Sequence, residues 1–273
     1  MLKLLQMKKL LCQSSERLRE VLQEPLPSEG GDIEFTVKKG VATLAEALQS
    51  DSSLQSLDLQ FNEIGDAGAV LLAGVLQSNS CLISINLQSN KIGDAGAAAL
   101  AHALRSNSSL QSLDLRWNNI GDARAALAAA LQSNSSLQSL NLQDNKIGDD
   151  GAVALAEALQ SSSSLQYLNL QSNKIGDAGV VALAEALQSN SSLQTLDLSI
   201  TRIGVVGAKA LAGTLQSNSS LLTLNLTCNR IGDVGVMALA YALQLNSSLQ
   251  SLNLTNNKIS KESGGPGCSK GKT

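Results

Sequence analysis

Aromatic side chains are scarce: Phe, Tyr and Trp make up 2% of the 273 residues, although 43% of the chain is hydrophobic. Aromatics dominate the buried area of most compact cores. A core built from Leu, Ile, Val and Ala instead implies many similar small layers, the composition of a repeat protein. An excess of cations is also lacking, because 20 Lys and Arg are outnumbered by 23 Asp and Glu for a formal charge of −3. Gripping a phosphate backbone needs clustered Lys and Arg, so no nucleic-acid partner is expected. Short basic groups near the ends (Lys8-Lys9, Lys38-Lys39 and Lys258 to Lys272) read as solvated surface.

Metal and thiol chemistry have little to work with. Cys12, Cys81, Cys228 and Cys268 are widely scattered, without CxxC or Cys/His spacing, and the one histidine is His102. No metal site and no cofactor are expected. No apolar run approaches the roughly 18 residues of a membrane span. The leading MLKLLQMKKLLCQ is broken by Lys3, Lys8 and Lys9, unlike a signal peptide. The expected compartment is the cytoplasm. There the Asn-Ser-Ser sequons at Asn107, Asn134, Asn190, Asn218 and Asn246 would stay unmodified, and their common place in a repeat explains them.

What the chain does have is a phrase, SLQSLDLQFNEIGDAGAVLLAGVLQSNS, repeated about eight times. Its first Leu falls at Leu54, Leu82, Leu110, Leu137, Leu165, Leu193, Leu221 and Leu249, with one interval a residue shorter than the others. Self-similarity at such a period marks a solenoid. In Leu110-Gln-Ser-Leu113-Asp-Leu115 apolar and polar residues alternate, the period of a strand. After Ile120-Gly121-Asp122 the spacing becomes helical and Ala-rich. An Asp such as Asp66 or Asp94 stands where a helix N-cap belongs. Each copy is thus expected to be strand, tight loop, helix and return loop. Stacked strands repeat about every 4.8 Å and helices about every 10 Å. That mismatch predicts an α/β right-handed horseshoe with a parallel sheet on the concave face and helices on the convex face.

The ninth position of the copies holds Asn62, Asn90, Asn118, Asn145, Asn173, Asn229 and Asn257, with Thr201 in the sixth. There the chain leaves its strand, and an amide can both donate and accept in place of lost ladder partners. These asparagines are read as structural. The motif LxxLxLxxN-x-IGDxGAxxLAxxL resembles the ribonuclease-inhibitor-like class of leucine-rich repeats, and most closely the repeat regions of NLR-family (nucleotide-binding, leucine-rich-repeat) proteins. The resemblance covers about 41–259. It implies a horseshoe that engages proteins by its concave face. The nucleotide-binding domain of that family is absent, so its nucleotide switching does not carry over.

Outside the repeats, residues 1–40 read as an amphipathic helix with a cap or linker, and 260–273 as a disordered tail. Solenoids usually carry a polar terminal cap; the C-terminal end, lacking one, is expected to be truncated or to await a partner. Within the tail, Gly264-Gly265-Pro266-Gly267-Cys268-Ser269-Lys270-Gly271 resembles the phosphate loop of adenylate-kinase-type enzymes. Ser269 departs from that pattern, and the strand before and helix after that a phosphate loop needs are missing.

The eighth position varies most between copies: Phe61, Ser89, Trp117, Asp144, Ser172, Ile200, Cys228, Asn256. Trp, Tyr and Arg are favoured at interface hot spots. The expected partner-binding group is therefore Phe61, Asp114, Arg116, Trp117, Asp144, Tyr167 and Ile200. Asp58, Asp114, Asp144 and Asp197 would suit a mildly basic protein partner. A different possibility is a GTPase-activating regulator of the Ran GTPase-activating-protein type, which would need a rim arginine, Arg116, Arg202 or Arg230, to stabilise phosphoryl charge. No catalytic constellation forms around His102. It occupies the place of Glu157 and Glu185 in other copies, which makes it a solvent-facing helix residue. Copies three and six break the pattern, the third at Asp122-Ala-Arg124-Ala and the sixth at Ile200-Thr201-Arg202-Ile203-Gly204-Val205.

Overall fold

A computed structural model describes residues 33–50, 53–121 and 124–260. The expected N-terminal helix at 1–23 and the phosphate-loop-like tail lie outside the described residues. Helix α1 (Ile33–Ser50) runs across residue 40, where the linker was expected to end. The chain then alternates strand and helix: β1 (Ser56–Asp58), α2 (Gly65–Ser78), β2 (Ser84–Asn86), α3 (Asp94–Leu104), β3 (Ser112–Asp114), α4 (Arg124–Ser133), β4 (Ser139–Asn141) and α5 (Asp149–Ser161). It continues through β5 (Tyr167–Asn169), α6 (Asp177–Ser189), β6 (Thr195–Asp197), α7 (Val205–Leu215), β7 (Thr223–Asn225), α8 (Gly232–Leu245) and β8 (Ser251–Asn253).

The strands form one parallel sheet in sequence order. Equivalent residues pair throughout, as Leu57 with Ile85 and Leu113 with Leu140. Between sheet and helices lies a continuous apolar layer to which each copy adds the same set, for example Leu110, Leu113, Leu115, Ile120, Leu127 and Leu131. Among the described residues the last helix, α8, has a helix neighbour on one side only. Ala240 and Leu243 are exposed there, although their counterparts Ala212 and Leu215 are buried.

The ninth-position asparagines do what their amides permit. Asn118 Nδ2 donates to Leu115 O in its own copy and Leu87 O in the preceding one, both at 3.0 Å. Its Oδ1 accepts the N–H groups of Asn90 (3.1 Å) and Ile92 (2.9 Å). One side chain thus binds the turns of two copies together. Thr201 breaks the chain of bonds. Its hydroxyl stands 2.8 Å from both Leu198 O and Asn229 Oδ1, but it has one proton to give. Ile147 and Ile203 donate to Asn173 and Asn229, each at 3.0 Å. Ile175, whose turn faces Thr201, has no such acceptor for its N–H among the described residues.

A second ladder runs along the opposite edge, where the helices end. Asn107 Nδ2 donates to Leu76 O (2.8 Å) and Asn79 O (3.0 Å), while Oδ1 accepts from Ser109 and Leu110. Asn134, Asn190, Asn218 and Asn246 repeat the arrangement. These are the sequon asparagines. Four are buried with Nδ2 already bonded inside the fold, so the structure bars a glycan there whatever the compartment. The fourth copy has Ser162 instead, and its Oγ is the one buried side-chain polar atom without a partner among the described residues.

The expected N-cap role of the Asp residues is corrected. Asp94, Asp149 and Asp177 are the first residues of their helices, and no side chain caps those helices from the N-cap position itself. Each carboxylate instead reaches forward one copy. Asp66 Oδ1 accepts the N–H of Gly93 (2.7 Å) and Gly96 (2.9 Å), and Asp177 does the same for Gly204 and Gly207. Each Asp therefore caps its neighbour's helix. Where the preceding copy offers no Asp, the backbone changes. Gly232, preceded by Val205, and Gly65, preceded by Lys38, take φ of +62° and donate to Asn257 O and Asn90 O. At the last turn Asp233 accepts the Ser260 hydroxyl and backbone N–H, which hold its carboxyl below the usual range.

Each gap in a ladder leaves a buried polar group without its partner, a loss of about 1–3 kcal/mol. Thr201→Asn and Ser162→Asn are therefore each expected to raise the stability measured by urea denaturation by about 1–2 kcal/mol, and Asn107→Ala to lower it by more than either gain. Unchanged midpoints for both insertions would remove the ladders as a source of stability.

Candidate functional site

The eighth position has one conformation in all eight copies. Phe61, Ser89, Trp117, Asp144, Ser172, Ile200, Cys228 and Asn256 have φ between 52° and 60°, the left-handed region. The parallel ladder of hydrogen bonds continues to the third residue beyond each strand and enforces it. Phe61 N–H donates to Gln88 O (2.9 Å), Trp117 to Gln143 O (3.0 Å) and Ile200 to Thr227 O (2.8 Å). The chain must then turn inward to bury the asparagine that follows. Asn and Asp tolerate such a φ, whereas bulky or β-branched residues there are strained. Phe61, Trp117 and Ile200 adopt it while remaining 44%, 51% and 48% exposed. They gain little burial in return for the strain.

Two of these residues meet. The Phe61 and Trp117 rings face each other across the intervening Ser89 copy, centroids 6.4 Å apart and planes at 78°, an edge-to-face pair. Trp117 Nε1 donates to Asp144 Oδ2 (2.7 Å), which also accepts Gln143 Nε2 (2.9 Å). The indole is thus held by a ring contact and a hydrogen bond while staying half exposed. Arg116 turns onto Asp114, with Nε and Nη2 each 2.8 Å from Oδ2.

The structure therefore brings Phe61, Trp117 and Asp144 into contact, with the Asp114–Arg116 pair next to them in the chain. It does not join Tyr167 or Ile200 to them by any contact. Tyr167 is half-buried on β5, its hydroxyl accepting from Asn169 Nδ2 (3.3 Å). Ile200 stands three copies beyond Trp117, about 14 Å away at the usual strand spacing. His102 is exposed on α3, as expected.

Two features escaped the sequence reading. At the outward helix position filled by His102, Glu157 and Glu185, the seventh copy has Tyr241, 60% exposed. With Val234, Met237 and Leu245 it forms an apolar stripe on α8. The other feature lies at the tenth position, where every copy from the fourth to the eighth carries an exposed cation: Lys146, Lys174, Arg202, Arg230, Lys258. Comparing copies position by position would have shown both; totals over the chain conceal them. Among the described residues no group of His, Cys, Asp and Glu is arranged to hold a metal, and no helix is long and apolar enough to cross a membrane.

A family model described as "Leucine Rich repeat" matches residues 50–73, 78–101, 106–123, 133–156, 161–184, 189–212, 217–240 and 245–265, more than half of the chain. The chain belongs to the leucine-rich-repeat family. Among solved structures, this leucine-rich-repeat protein is similar to leiomodin-1 actin-binding site 2. The identity is 20% and the TM-score 0.37, covering 62% of this chain and 79% of that one. No curated protein matches the chain.

If the left-handed backbone strains the eighth position, removing a β-branched side chain there should relieve it. Ile200→Asn is expected to stabilise the leucine-rich-repeat fold by about 1 kcal/mol in urea denaturation. A loss of stability would mean that Ile200 is held by packing and not strained.

Proposed function

We propose that this leucine-rich-repeat protein is a non-catalytic, cytoplasmic binding module that takes a protein partner on the sheet side, centred on Phe61 and Trp117. The NLR-like form of its repeats is part of the same reading. One observation carries it: two large aromatic rings stay exposed and pinned edge to face on backbone that disfavours them. Strain retained without burial is a mark of a functional position, and rigid aromatics bind at low entropic cost. Tyr167 and Ile200 extend the contact surface along the same row of copies.

Arg116 neutralises Asp114, so the acidic character offered to a mildly basic partner rests on Asp58, Asp144 and Asp197. The same ion pair counts against the GTPase-activating alternative, because Arg116 is not free to approach a phosphoryl group. Arg202 and Arg230 have no companion groups that would position a nucleotide. Cytoplasmic residence agrees with the free thiols of Cys81 and Cys228.

Trp117 is the only tryptophan in the chain, so tryptophan emission, excited where tyrosine does not absorb, reports on this site alone. The test captures partners from cytosol with wild type and with Phe61→Ala/Trp117→Ala/Tyr167→Ala, both verified as folded by circular dichroism. The expected result is a partner lost from the variant which, once purified, shifts the Trp117 emission of the wild type to the blue. A partner held equally by both proteins, leaving that emission unmoved, would refute the assignment.

A further inference from the structure

The tenth position runs Glu63, Lys91, Asn119, Lys146, Lys174, Arg202, Arg230 and Lys258. The first two show how close neighbours come, because Lys91 Nζ lies 3.3 Å from Glu63 Oε1 in the preceding copy. From the fourth copy onward the same juxtaposition places cation beside cation. The backbone stacking is direct: Lys174 N–H donates to Ile147 O, Arg202 to Ile175 O and Arg230 to Ile203 O, at 2.7 to 2.8 Å. All five side chains are exposed, and none has an ion-pair partner among the described residues.

Nearby carboxylates are largely engaged elsewhere. Asp149 and Asp177 face the backbone N–H groups of Gly176 and Gly179, and of Gly204 and Gly207. Asp233 faces Ser260, Asp144 faces Trp117, and the sixth copy has Val205 instead of an Asp. That sixth copy has lost its ladder Asn and its capping Asp yet keeps Arg202. The row changes from Lys to Arg and back while retaining its charge, although the eighth position two residues earlier varies freely. Four successive like-charge neighbours destabilise the free protein, and a bound line of anions would relieve them.

We propose that this row, Lys146, Lys174, Arg202, Arg230 and Lys258, is a second binding site that takes an extended acidic segment of a protein, rich in Asp and Glu, laid along the rim. The row shares no residue with the aromatic group, whose contacts join Phe61, Trp117 and Asp144. A single file of charges fits an extended chain. Four steps of about 4.8 Å span roughly 19 Å, the length of about six extended residues at 3.3–3.4 Å each. A peptide is favoured over single-stranded nucleic acid because no aromatic stands in the row itself or at the eighth position beside it in these five copies, where it could stack a base.

The test measures anisotropy of a fluorescein-labelled hexaglutamate peptide at low salt, against hexaglutamine, a thymidylate hexamer and phosphatidylserine vesicles. The row variant is Lys174→Gln/Arg202→Gln/Arg230→Gln. The control, Lys91→Gln/Arg105→Gln/Lys209→Gln, removes as much charge elsewhere, and Arg202→Lys/Arg230→Lys preserves the row. Hexaglutamate should bind the wild type, the control and the Lys-for-Arg variant alike, weaken about tenfold or more in the row variant, and weaken with added salt. Hexaglutamine should not bind. Hexaglutamate failing to bind, or binding the row variant as well as the wild type, would overturn the proposal. So would tighter, row-dependent binding of the oligonucleotide or the vesicles.

Discussion

Wherever the chain leaves a strand or a helix, its backbone groups lose their partners inside an apolar layer, and this architecture supplies new ones from buried asparagine amides. An unpaired buried N–H or C=O costs about as much as several ordinary contacts stabilise. The ninth-position amides close the turn after each strand, and the sequon amides close the turn after each helix. Each one spans two copies, so neither loop can shift without breaking bonds in its neighbour. The register of the sheet, with equivalent residues paired in every copy, follows from this double pinning. Asp carboxylates reaching forward to the next helix add a third line of ties.

The same pinning fixes what the rim presents. To bury its asparagine, each copy must bring the preceding residue through a left-handed turn, whatever side chain that residue carries. Phe61 and Trp117 are held there as rigid, exposed rings. The tenth residue, just past the asparagine, is set beside its counterparts in neighbouring copies, as the Lys91–Glu63 contact shows. A frame made of interior amides thus leaves two adjacent columns of surface positions free to differ. One carries the aromatic pair toward the start of the solenoid, and the other a line of cations toward its end.

Much of this was legible in the sequence. Alternating Leu gave the strands, Ala-rich spacing gave the helices, and the period gave the stack. The ninth-position Asn was legible because part of its chemistry is local, its amide donating to the carbonyl three residues back in the turn it closes. What was misread depends on distance in the chain. Asp66 resembles an ordinary N-cap, yet the N–H groups it accepts lie 27 and 30 residues onward. Asn107 was set aside as a sequon explained by repetition, and its bonding role was missed because its acceptors are 31 and 28 residues back. Asp114 was counted as free acidity before Arg116 was seen to close onto it. Tyr167 and Trp117 share a face without sharing a contact. The cation row was hidden by counting charge along the chain instead of across the copies.

The most direct measurement of the central constraint is residue-resolved amide hydrogen exchange of the wild-type protein. Ile147 and Ile203 donate to ladder asparagines, whereas Ile175 faces Thr201, whose shorter side chain does not accept its N–H. All three are buried, so burial alone would protect them equally. The account predicts markedly faster exchange at Ile175 than at Ile147 and Ile203. Equal protection at all three would contradict it, showing that stacking of the apolar layers, and not the amide ladder, holds the turns in place.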